Sequence, residues 1–144
     1  MSLDSMNPNP LWVASGHKKT IDVFKKLEDN FIFRIWGDDG CKDCRDQLPE
    51  FASVLHAAGV DNSRIKQHLV ERLPEGKKKG ELVSEYSISR IPTIVIEQEP
   101  DEVSKDKKFT PIELARYVEC EDIPAADYLA HLIIFHLPKQ DKIL

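Results

Sequence analysis

Residues 31–44 run Phe31-Ile32-Phe33-Arg34-Ile35-Trp36-Gly37-Asp38-Asp39-Gly40-Cys41-Lys42-Asp43-Cys44. Apart from Arg34, the first six are β-branched or aromatic, which is strand composition, and Gly37-Asp38-Asp39-Gly40 is turn chemistry. A strand therefore runs into a sharp loop, and Cys41 and Cys44 stand where the loop gives way to the next element. Beyond it, Leu48, Phe51, Ala52, Leu55 and Ala58 share one helical face, Arg45, Asp46, Glu50 and Ser53 share the other, and Gly59 is placed as a C-terminal stop. The spacing predicts a helix from about Cys41 to Ala58. Pro49 inside it removes one backbone hydrogen bond and presses on the carbonyl of Arg45, which predicts a kink.

Working outward, residues 1–14 carry Asn-Pro-Asn-Pro and no apolar period, so they are expected to be a loose leader ahead of one domain over 15–144. Ile21, Phe24 and Leu27 predict a short amphipathic helix that Asn30 would stop. Downstream, 64–73 has an imperfect strand alternation, and Leu82, Val83 and Tyr86 have helical spacing. Ile91-Pro92-Thr93-Ile94-Val95-Ile96 suits a strand buried on both faces. The charged stretch from Glu97 to Pro111 reads as a loop, Leu114 to Glu121 as a further strand, and Pro124 opens a helix through Ala125, Leu129, Leu132, Ile133 and Leu137 with Asp122 as its cap. Strands alternating with helices and finishing in a hairpin predict an α/β fold with a mixed sheet.

Composition narrows the function. The 144 residues suffice for one core without disulfide staples. A net charge of −5 argues against nucleic acid as the partner, and the one basic run, Lys77-Lys78-Lys79 between Gly76 and Gly80, reads as a solvated loop or helix start. No stretch of about 18 apolar residues could span a bilayer. No secretory signal opens the chain, so a cytoplasmic location is expected. Three cysteines make no disulfide framework, and in a reducing compartment a close pair is a redox or metal site.

At a helix start Cys41 would face unpaired backbone N–H groups and the positive end of the helix dipole, both of which favour the thiolate that disulfide exchange requires. Cys44, one turn on, lies on the same side and can resolve a mixed disulfide. The first cysteine is expected to face solvent and the second to be drawn under the helix, so Cys41 attacks and Cys44 resolves. Lys42 favours the thiolate; Asp38, Asp39 and Asp43 oppose it.

Several further residues fall in an order that resembles the thioredoxin superfamily. Trp36 ends the strand before the pair, Arg45 follows the second cysteine, Pro49 comes five residues after it, and Ser89-Arg90-Ile91-Pro92-Thr93-Ile94 is similar to the family's cis-proline segment. The resemblance implies a thioredoxin-like fold, a mixed central sheet with helices on both faces. It implies a thiol-disulfide oxidoreductase that reduces protein or small-molecule disulfides through Cys41 and Cys44, without a cofactor or metal, and is recharged by a reductase or thiol. Pro92 would be cis and lie against the pair, with the Ile91 backbone offered to an extended substrate; Trp36, Gly40, Lys42 and Asp43 would complete the substrate contacts. Three departures stand out. Gly40 replaces the usual tryptophan, Lys42-Asp43 replaces Gly-Pro, and the family's buried carboxylate falls near Arg34, leaving Asp38 or Asp39 as stand-ins. Two other readings stay open: a binding module that presents the Pro92 groove, and a metal-binding domain. The second lacks a full ligand set. Zinc normally takes four ligands, Cys120 reads as a core position, and His131 and His136 are not spaced to share a helical face.

Overall fold

The computed structural model describes residues 3–99, 111–119 and 121–136. Three helices, α1 (Lys18–Lys25), α2 (Lys42–Ala57) and α3 (Ala125–His136), accompany five strands: β1 (Phe31–Gly37), β2 (Ile65–Arg72), β3 (Lys78–Gly80), β4 (Thr93–Gln98) and β5 (Ile112–Val118). The strands form one mixed sheet in the order β3-β2-β1-β4-β5. β1 is parallel to β2, in register Ile35 to Gln67, and antiparallel to β4, in register Ile35 to Ile94. β2–β3 and β4–β5 are antiparallel. α2 runs through Pro49 unbroken and ends where Gly59, at φ 76°, turns the chain so that Val60 N–H reaches the Leu55 carbonyl at 3.0 Å.

Strand alternation divides the sheet into two unlike faces. On one, Phe33 and Ile35 of β1, Ile94 and Ile96 of β4 and Tyr117 of β5 are all buried. All three helices pack on that face: Phe24 of α1 meets Phe33 at 5.9 Å and Phe51 of α2 at 6.3 Å, and Tyr128 of α3 meets Tyr117 at 5.6 Å. The expectation of helices on both faces is therefore corrected. The other face carries Arg34, Trp36, His68, Thr93, Val95 and Glu97, and residues 81–88 cover it as successive turns. The helix expected from Leu82, Val83 and Tyr86 does not form. The Glu81 carbonyl, which a helix would use internally, accepts the Trp36 indole N–H at 2.9 Å, and Leu82 and Ser87 adopt left-handed φ values of 60° and 54°.

Two other expectations change. Lys78 and Lys79 belong to a strand, not a loop, because β2 offers them an open edge at Arg72 and Glu71. The leader is docked: Leu3 and Met6 are buried and Asp4–Met6 forms one 3-10 turn, although Leu11 and Val13 stay exposed. Most of the Glu97–Pro111 loop, together with Cys120 and Leu137, lies outside the described residues. Among the described residues no helix is long and apolar enough to cross a membrane.

Candidate functional site

The site forms where β1 meets α2. After Gly37 the chain turns through Asp38, whose carboxylate accepts the Gly40 N–H at 3.1 Å and Arg72 Nε–H at 2.9 Å, while its carbonyl accepts the Cys41 N–H at 2.9 Å. Asp39 adds a bond from Arg45 to its carbonyl at 3.1 Å. This loop places Cys41 at the N-cap of α2, with φ −88° and ψ 126°. Cys44 falls in the first turn beneath it, 3.4 Å from Cys41, and both are free thiols. Gly37 makes room for the second thiol: a Cβ there would stand 3.3 Å from Cys44 Sγ.

Across from the pair, the Ile91–Pro92 bond is cis, and the Cys41 thiol donates to the Ile91 carbonyl at 3.8 Å. Two bonds pin this segment: Thr93 Oγ1–H to the Arg90 carbonyl and Glu119 N–H to the Pro92 carbonyl, each at 2.7 Å. The structure thus brings Cys41, Cys44, Ile91 and Pro92 together, with Gly40 exposed at the rim. A Cβ on Gly40 would come within 3.2 Å of the Arg72 guanidinium that braces the loop.

The first thiol is more enclosed than expected. Cys41 is only 9% exposed, which corrects its assignment to open solvent, and Cys44 is fully buried. Burial pushes the Cys44 thiol up to about 12, helped by its bond with Cys41 and the charges of Cys41 and Asp38, while a backbone bond from Asp38 pulls the other way. Cys44 is thus held as a neutral thiol.

The remaining expected contacts are scattered. Lys42 projects into solvent and pairs with Asp46 at 2.8 Å, and Asp43 is half-buried in the first turn. Trp36 is not brought to the pair, a correction to its expected place with a simple cause: the side chain after Ile35 points to the opposite face of β1 from Cys44. Its buried ring lies between His68 at 4.7 Å and Tyr86 at 4.9 Å.

That face holds a polar network that sequence reasoning missed. Glu97, 2% exposed, accepts Arg34 Nε–H and Tyr86 O–H, each at 2.7 Å. His68 contacts Arg34 at 3.2 Å and Glu81 at 2.8 Å. Burial and then Arg34 push the His68 ring below its ordinary value against the pull of Glu81, and burial with the Glu97 bond raises Tyr86 to about 12. Arg34 lies across the sheet from Cys44, so the position where the resemblance puts a buried carboxylate holds a cation facing away. The alternation of Arg34 with buried apolar neighbours is the one signal of this network in the sequence. Among the described residues no group of three or more His, Cys, Asp and Glu is placed to hold a metal.

No protein-family model and no curated protein matches the chain. Among solved structures, a Pseudomonas aeruginosa protein of unknown function is similar over 88% of this chain and 75% of that one, at 16% identity and a TM-score of 0.47.

Proposed function

We propose that this chain is a thioredoxin-like thiol-disulfide oxidoreductase, with Cys41 as nucleophile and Cys44 as resolving thiol. One observation carries the reading: Cys41 stands at a helix N-cap against the carbonyl that precedes a cis proline, with a second free thiol 3.4 Å behind it. Cys41, as thiolate, attacks one sulfur of a substrate disulfide; a bond from its Sγ to that sulfur forms, the substrate S–S bond breaks, and the other sulfur leaves as thiolate. Cys44 then gives up its proton and attacks Cys41 Sγ, forming the Cys41–Cys44 disulfide and releasing the second substrate thiol. The substrate gains two electrons and the protein loses two, which a reductase or small thiol restores. A protein or small-molecule disulfide fits this chemistry, and in the cytoplasm reduction is its direction.

The neutral state of Cys44 orders the steps. Cys41 meets the substrate first because Cys44 is sealed and protonated, and Cys44 competes only once a mixed disulfide is within bonding reach. Asp38, whose backbone bonds Cys44, carries a carboxylate whose charge acts on that thiol and is placed to assist the proton, though Arg72 holds it in an ion pair. The test is reduction of a generic protein disulfide with a thiol donor. Turnover is expected for the intact chain and loss for Cys41→Ser; equal rates for the two would overturn the reading and favour a binding module.

A further inference from the structure

The N-terminal turn packs beside Gly37, on the same spot as the second thiol. Leu3 is 1% exposed, and its Cδ1 reaches within 3.3 Å of the place a Gly37 Cβ would occupy, the same distance as Cys44 Sγ, with Leu48 closing the third side at 3.4 Å. The clamp on this turn comes from the site loop. Asp39 accepts the Asp4 N–H at 2.9 Å, the Ser5 N–H at 2.9 Å and the Ser5 hydroxyl at 2.8 Å. Gln67 adds a bond from the Leu3 N–H at 2.7 Å. Although burial disfavours its charge, these donors hold the Asp39 carboxyl below its ordinary value, so the clamp is charge-assisted. Asp39 is thereby committed away from the thiols.

We propose that Asp39 is a positioning residue for the second thiol: by clamping the Leu3–Met6 turn against Gly37 it seals Cys44 from water and from every disulfide except one already joined to Cys41. The proposal rests on the oxidoreductase reading for its purpose, but its geometry stands on the turn alone. Without the seal a second nucleophile would face solvent and compete with Cys41 for the substrate disulfide.

The experiment is alkylation of Cys44 by iodoacetamide at pH 8 in a Cys41→Ser background, read by peptide mass so that Cys120 does not interfere. The titratable groups beside Cys44 are then Asp38 and the solvent-facing charges of the loop. Asp39→Ala is expected to raise the rate about tenfold or more, because opening the turn returns water to a thiol that burial holds above its ordinary value. Leu3→Ala is expected to act in the same direction, and Asp39→Asn, which keeps one acceptor oxygen, to fall between. Should Asp39→Ala fail to fold, Leu3→Ala and Ser5→Ala carry the same expectation. Thr20→Val, which breaks the α1–α3 bond to Asp127 elsewhere, is the control for general loosening. A rise below tenfold for the lid variants, or an equal rise for Thr20→Val, would overturn the proposal. Alkylation needs no turnover, so this failure and a failure of the oxidoreductase reading are told apart.

Discussion

Replacing Glu97 by alanine isolates the polar network on the helix-free face. The carboxylate is 2% exposed and the Arg34 side chain 17%, and both Arg34 Nε–H and Tyr86 O–H lose their acceptor at once. Removing one partner of a buried ion pair costs about 3–5 kcal/mol, because the remaining charge has no compensation. The orphaned tyrosine hydroxyl adds up to about 1–3 kcal/mol, overlapping with the first cost since the groups share one network. We expect a loss of about 3–5 kcal/mol, a large share of the roughly 5–15 kcal/mol typical of a domain. Urea unfolding at neutral pH, with the slope checked for constancy, measures it. The control is the pair Arg34→Leu and Glu97→Leu made together: with neither charge present, the double variant should recover most of the single variant's loss. A cost under about 1 kcal/mol for Glu97→Ala, or a double variant as unstable as the two single losses combined, would refute the argument that burial of an uncompensated charge governs this face.

Three further outcomes are expected. His68 has a folded value below its ordinary one, so the unfolded chain takes up the proton first; stability should fall as pH drops below 6.5 and level off once folded His68 protonates, and His68→Phe should flatten that slope in pH-dependent unfolding. Cys44 has the opposite sign: its raised value, about 12 against 9.0, contributes stability that is complete below pH 9 and lost between pH 9 and 12, and the difference between intact protein and Cys44→Ala across that window should show it. Trp36→Phe removes the indole bond to Glu81 and should cost about 1 kcal/mol of stability while leaving disulfide turnover within twofold, because the ring lies across the sheet from the thiols; a tenfold loss of turnover would restore Trp36 to the site.

The strand, loop and helix of residues 31–57 were legible because local signals coincide there: β-branched composition, a Gly-Asp-Asp-Gly turn and a clean helical stripe. The alternating order and the mixed sheet followed from them. The pairing of Cys41 with the Ile91–Pro92 segment rested on resemblance alone, since no periodicity brings residues 50 positions apart together. What stayed hidden depends on distant partners. Lys78 and Lys79 are strand only because β2 has an edge to fill. Leu82, Val83 and Tyr86 have helical spacing, yet Trp36 takes the carbonyl the helix would need. Leu3 and Met6 are two anchors in an Asn-Pro segment without period, and only the pocket beside Gly37 and the Asp39 carboxylate give them a place. The layering was misjudged for the same reason: amphipathic stripes say that a helix has a buried side, not which face of the sheet receives it.

The central claim is that Cys41 forms the mixed disulfide and Cys44 breaks it. The most direct measurement is intact and peptide mass after brief exposure of three forms to an excess of a small aromatic disulfide, each in a Cys120→Ser background. Cys44→Ser should carry one stable adduct on Cys41, Cys41→Ser should stay unmodified over the same interval, and the chain with both thiols should show no adduct, a loss of two hydrogens and two released thiols per protein. An adduct forming on Cys44 as fast as on Cys41, or a stable adduct on the chain with both thiols, would contradict the account.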